Sequence, residues 1–78
     1  MKAAYASGLQ DIERVVGKRI KKIRAVKGLT QDELAAQTGL NRAHLYRLES
    51  GKQSMTLRTL NLIADRLGMR VRDLIGNM

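Results

Sequence analysis

Apolar residues along the chain recur at spacings of three and four, with no proline to interrupt them and no sustained alternation of the kind a half-buried strand needs. The pattern divides into five stretches, so the expected fold class is all-α. In the first, Leu9, Ile12, Val16, Ile20 and Ile23 share one helical face, Ser7 and Gln10 stand in capping-box spacing, and Gly28 stops the helix after about Lys27. The second has a clearer box, in which Thr30 and Glu33 satisfy backbone N–H groups that a helix start leaves without partners. It runs from Gln31 to about Thr38, where Gly39 supplies a left-handed turn. Asn41 is a good N-cap for a third helix ending near Glu49 or Ser50 and closed by Gly51. Thr56 or Ser54 opens a fourth, with Leu57, Leu60, Ile63, Ala64 and Leu67 facing inward and Gly68 at its end. A fifth, short and poorly capped, covers Val71 to Ile75. Residues 1–6 read as a flexible arm, which leaves 7–78 as one domain.

The spacing around Gly39 determines how the second and third helices meet. Small Ala35 lets them approach closely, Gly39 turns the chain, and Leu45 and Leu48 pin the third helix to the core, which is the mechanics of a helix-turn-helix. At about 100° per residue, the direction set by Leu45 and Leu48 leaves Ala43, Tyr46, Arg47 and Ser50 pointing most nearly outward, with Arg42 on one flank and His44 on the other. The outward face is basic from its first turns.

Composition narrows what such a face meets. A chain of 78 residues makes one small domain that buries only about 60% of its unfolded surface, a marginal core that self-association would reinforce. Fifteen Lys and Arg against seven acids give a net charge of +8, which favours a polyanionic partner, either nucleic acid or an anionic membrane. The segment KRIKKIRAVK holds much of that charge and reads as a solvated face of the first helix. A lipid-binding role for it is disfavoured, because its apolar side is needed by the core. Tyr5 and Tyr46 are the only aromatic residues, too few for the stacking platforms that single-stranded binders use, so a duplex is the better expectation. The absence of cysteine excludes a disulfide framework and a Cys-based zinc site. No apolar run approaches about 18 residues and MKAAYASGLQ lacks a signal-like core, so the expected location is cytoplasmic, with no membrane partner. His44, the single histidine, has no second ligand or nucleophile spaced with it; neither a metal, a cofactor nor an enzyme is expected.

The segments LTQDELAAQTGLNRAHLYRLESGK and MTLRTLNLIADRLGMRVRDLI together resemble the phage-repressor-like (Cro/repressor, XRE) helix-turn-helix family, over roughly residues 17 to 75. The resemblance rests on the joint spacing of Gln31, Ala35, Gly39, Leu45, Leu48, Glu49 and Gly51 and on the following helix with its LG stop. It implies a five-helix bundle of the lambda-repressor-like type that binds operator DNA as a symmetric homodimer. Small stand-alone members include phage and plasmid repressors, restriction–modification controller proteins and antitoxins. By position, base-reading sites fall on Arg42, Ala43 and Arg47, and a phosphate contact falls on Gln31. Asn41, His44, Tyr46, Ser50 and Lys52 are the expected backbone or flanking contacts. At Arg70 the chain departs from the family, where a capping Ser is common.

Two structural expectations accompany this reading. On the helical wheel Glu49 lies at the edge of the buried stripe and Arg24 at the equivalent edge of the first helix. Related repressors pair an arginine and a glutamate at these positions, so the resemblance implies a partly buried Arg24–Glu49 salt bridge. The dimer interface is expected on the fifth helix and tail, around Val71, Leu74 and Ile75, with Met55, Met69 and Met78 as core or interface fillers. The function expected is a sequence-specific double-stranded DNA-binding transcriptional regulator. The alternative is an antitoxin whose partner is a toxin protein, for which the arm with Tyr5 and the tail with Leu74, Ile75 and Met78 are the available segments.

Overall fold

A computed structural model describes residues 8–76, with side chains from Ile12 onward. The arm at residues 1–6, the Ser7–Gln10 cap, the Leu9 side chain and Met78 lie outside that description. Among the described residues the chain forms α1 (Gly8–Val26), α2 (Gln31–Thr38), α3 (Arg42–Glu49), α4 (Leu57–Arg66) and α5 (Val71–Ile75), and no strand.

The helix starts follow from their caps. Thr30 Oγ1 accepts from Glu33 N at 3.0 Å while Thr30 N donates to Glu33 Oε1 at 2.8 Å, closing the box before α2. Asn41 Oδ1 accepts from His44 N at 2.7 Å, and Thr56 Oγ1 accepts from Thr59 N at 3.0 Å. The fifth helix, expected to be poorly capped, is held at both ends. Arg70 N donates to Asp73 Oδ2 at 2.9 Å, and Arg19 of α1 donates from Nη1 to Leu74 O at 3.0 Å. Asp73 thus supplies the reciprocal half of a capping box from inside the helix, while the other half is missing because the Arg70 guanidinium only donates.

All five helices contribute to one core. Val16 and Ile20 of α1, Leu34 and Ala35 of α2, and Leu45 and Leu48 of α3 are buried together, with Leu60, Ile63, Ala64 and Leu67 from α4 and its end and Leu74 from α5. Gly39 adopts φ +76° between α2 and α3, the left-handed turn expected there. Gly17 sets a second close approach. A Cβ built on it would stand 2.4 Å from Leu48 O and 2.7 Å from Glu49 O, so α1 and α3 meet backbone to backbone at this point.

Two apolar positions depart from the expected pattern. Leu57 is 79% exposed and Ile12 is 50% exposed, although both sit on the apolar sides of their helices. Each lies toward a helix start, where no other described element covers it. Periodicity identifies the apolar face of a helix but not how much of its length a neighbour reaches.

Candidate nucleic-acid interface

The position of α3 is decided from below. Leu45 and Leu48 are fully buried, Gly17 admits the α3 backbone against α1, and the residues between those anchors are turned outward. Arg42, Ala43, Tyr46 and Arg47 are all exposed, and with Gln31 and Lys52 they line one shallow groove. The three residues expected to read bases are therefore together on a single surface. Lys52 Nζ stands 5.8 Å from the centre of the Tyr46 ring, within cation–π range, which ties the loop after α3 to the helix face.

The two arginines of the groove are held differently. Arg42 Nε lies 3.8 Å from Asp32 Oδ1 of α2, a loose pair in solvent. Arg47 Nε donates to Gln53 Oε1 at 2.8 Å, and Gln53 Nε2 lies 3.0 Å from His44 Nε2. His44 is thus half-buried on the flank of the helix and engaged by the loop. Among the described residues no cluster of His, Asp and Glu has the makings of a metal site.

Several flanking residues are already committed. Asn41 uses its carbonyl oxygen as the α3 cap, which leaves its amide N–H groups as donors. Ser50 donates its only hydroxyl proton to Tyr46 O at 2.8 Å, so it presents acceptor lone pairs, the wrong polarity for a phosphate. Gln31 donates from Nε2 to Glu49 Oε1 at 2.9 Å, which anchors it from beneath while its second amide N–H remains to be given away.

Glu49 is the buried centre of that arrangement. Arg24 reaches it from α1 with Nε to Oε2 at 2.7 Å and Nη2 to Oε1 at 3.1 Å, a bidentate fork, while Arg24 Nη1 donates to Leu29 O at 2.8 Å. No buried side-chain nitrogen or oxygen among the described residues lacks a partner. The carboxylate thus links α1, α2 and α3 beneath the groove.

The three residues expected at a dimer interface are placed differently in the fold. Leu74 is fully buried in the core of its own protomer, and Val71 is half-buried against that core; of the three, only Ile75 is exposed. Leu74 is drawn inward because α5 packs on both α1 and α4. Ile75 instead joins Ile12, Val16, Met55, Leu57 and Leu60 around an apolar groove on the molecule.

Sequence reasoning passed over Gln53 and Gly17. A glycine in mid-helix costs roughly 1 kcal/mol relative to alanine, so Gly17 carried a readable sign of close packing. Gln53 carried none, because its contacts depend on how the loop returns along α3. In the basic segment of α1, Arg24 is expected to reach Glu49, but the use of Arg19 inside the protein, on Leu74 O, has no sign in the sequence pattern.

Comparison with known proteins agrees with the geometry. A family model described as the Cro/C1-type HTH DNA-binding domain matches residues 19–76. An uncharacterized HTH-type transcriptional regulator, y4dJ, of Sinorhizobium fredii is 35% identical over 83% of this chain and 84% of its own length. The control protein C.MunI of a Mycoplasma species is 32% identical over 90% of this chain and 96% of its own. Among solved structures, the restriction-modification controller protein C.AhdI of Aeromonas hydrophila superposes with a TM-score of 0.76 at 31% identity, over 82% of this chain and 96% of that one. The chain therefore belongs to the Cro/C1-type helix-turn-helix family and is a DNA-binding transcriptional regulator.

Proposed function

We propose that this regulator binds a pseudo-palindromic operator as a homodimer, placing one α3 in the major groove at each half-site. The observation that carries the reading is the shared outward groove of α3, where Arg42, Ala43 and Arg47 emerge side by side while Leu45 and Leu48 are locked beneath them. Arginine forks match guanine O6 and N7, and a small Ala43 permits close approach to a base edge or thymine methyl. Lys52, Tyr46, His44, and the spare amide N–H groups of Asn41 and Gln31 surround that centre as donors or charges for phosphate. Whether occupancy represses or activates follows from where the operator lies.

The homodimer is supported by the apolar groove. Ile12, Leu57 and Ile75 are exposed around it, on a domain whose core is small. A second copy covering this groove replaces the tail-centred interface, since Leu74 is occupied within its own protomer. Such an arrangement needs half-site centres about 34–36 Å apart, one turn of DNA.

The test is a duplex selected by the protein from a randomised library. Inserting about half a turn between its half-sites should abolish tight binding, and Leu57→Glu should weaken both dimer formation in sedimentation and operator affinity. A protein that stays monomeric on and off DNA, with affinity indifferent to the insertion, would refute the dimeric reading. It would leave the groove to a different protein, as in the antitoxin alternative.

A further inference from the structure

Gln53 lies outside every helix, in the loop after α3, yet it touches two α3 side chains at once. Arg47 Nε donates to its Oε1 at 2.8 Å, and its Nε2 lies 3.0 Å from His44 Nε2. The polarity of the chain of contacts is dictated by chemistry. A guanidinium only donates, so the amide oxygen must face Arg47 and the amide nitrogen must face the ring. The His44 nitrogen it meets must then accept, which places the ring proton on Nδ1. Reversing the amide would set donor against donor at Arg47. His44 and Arg47 are three residues apart and so are neighbours along one side of α3, and Gln53 bridges them from the loop.

The contact is made to Nε and leaves both terminal amino groups of Arg47 without a protein partner among the described residues. Those two groups form the end-on fork that complements guanine O6 and N7. An untethered arginine samples many rotamers and must give up that freedom on binding; one already held at Nε has given up most of it beforehand. Arg42 has no equivalent, since its single protein partner among the described residues is the loose Asp32.

We infer that Gln53 is a positioning residue for DNA reading: it presets Arg47 with its terminal fork available to a base, and His44 fixes the orientation of the Gln53 amide. This rests on the proposal above that Arg47 contacts bases. It divides the two arginines of the groove into a preset reader, Arg47, and an adaptable one, Arg42.

The experiment uses the full-length protein, a duplex it selects from a randomised library, and the set of single base-pair changes in that duplex. Arg47→Ala should erase preference at one base pair in each half-site, by about fivefold to a hundredfold. Gln53→Ala should lower preference at that same base pair by about three- to tenfold, the scale of immobilising one long side chain. It should leave other positions and the salt dependence unchanged, and should add nothing once Arg47 is alanine. His44→Phe, which keeps a ring and removes the acceptor, should weaken binding to every duplex through its lost phosphate contact and, beyond that uniform loss, show a smaller loss of preference at the same base pair. Thermal melts confirm that each variant is folded. Uniform weakening on every duplex, additive with Arg47→Ala, would make Gln53 a direct backbone contact and overturn the inference. Full discrimination by Gln53→Ala where Arg47→Ala has lost it would overturn it as well. If Arg47→Ala itself keeps every preference, the base-reading role of Arg47 fails, and the positioning role of Gln53 fails with it.

Discussion

Arg24 with Glu49 and Arg42 with Asp32 are the same chemical pair set in two environments. The first is bidentate, 2.7 Å at its shortest, with side chains 12% and 2% exposed; the second is 3.8 Å apart at 68% and 70% exposed. Taken out of water, Glu49 is obliged to find partners, and Arg24 and Gln31 provide them. Left in water, Arg42 and Asp32 are screened by solvent and salt and hold each other weakly. A formal charge on its own therefore says little about what a side chain does. Of the basic residues, Arg24 binds a buried carboxylate and Leu29 O, while Arg19 and Arg66 satisfy the carbonyls of Leu74 and Gln37 near the ends of α5 and α2. Those charges serve the fold, whereas the ones on the α3 groove stay available to a ligand.

The contrast predicts a graded set of effects. Glu49→Ala and Arg24→Ala should each destabilise the protein by about 3–5 kcal/mol, because either leaves an uncompensated buried charge. Denaturant titration of the two single variants and the double should reveal coupling well above ~0.5 kcal/mol. Two small, additive losses would put the inner pair in the same class as the outer one.

Gly17→Ala probes what brings the inner pair together. The added methyl has nowhere to go between α1 and the Leu48 and Glu49 carbonyls. Despite a helix-propensity gain of about 1 kcal/mol, a net loss of about 1–3 kcal/mol is expected in a thermal melt, as for other overpacked sites. An alanine variant as stable as the parent would mean that α3 can move away from α1 at no cost.

The outer face should respond in the opposite sense. Arg42→Ala and Arg47→Ala should change stability by no more than about 0.5 kcal/mol, yet each should lose about 1–3 kcal/mol of discrimination between the selected duplex and its altered versions. Competition binding measures the second quantity and melting the first. A variant that loses stability and keeps discrimination would reverse the assignment.

The smallest effect belongs to Asp32→Asn. Exposed pairs contribute about 0–1 kcal/mol, so stability should barely move. Removing a negative charge beside Arg42 should tighten binding to any duplex slightly, and a low-salt titration is the sensitive way to see it. Marked destabilisation would show the outer pair to be structural.

The sequence alone determined the starts of α2, α3 and α4 and the turn after α2, because caps and helix-ending glycines act locally. Thr30 with Glu33, Asn41, Thr56 and Gly39 need only neighbours a few residues away, and each performs as its spacing requires. It also determined which side of α3 faces out, since Leu45 and Leu48 allow only one orientation. The partnership of Arg24 and Glu49 was legible through the family resemblance, not through any local rule. Tertiary structure decided the rest. Leu57 and Leu74 are both leucines in helical register, and one is exposed while the other is buried, because α5 packs on both α1 and α4 while no described element covers the start of α4. Gln53 meets Arg47 and His44 only because the loop after Gly51 folds back along α3. Local hydrogen bonds are set by covalent spacing, whereas coverage of a surface and the meeting of distant side chains depend on the relative placement of whole elements, a quantity no short stretch of residues contains.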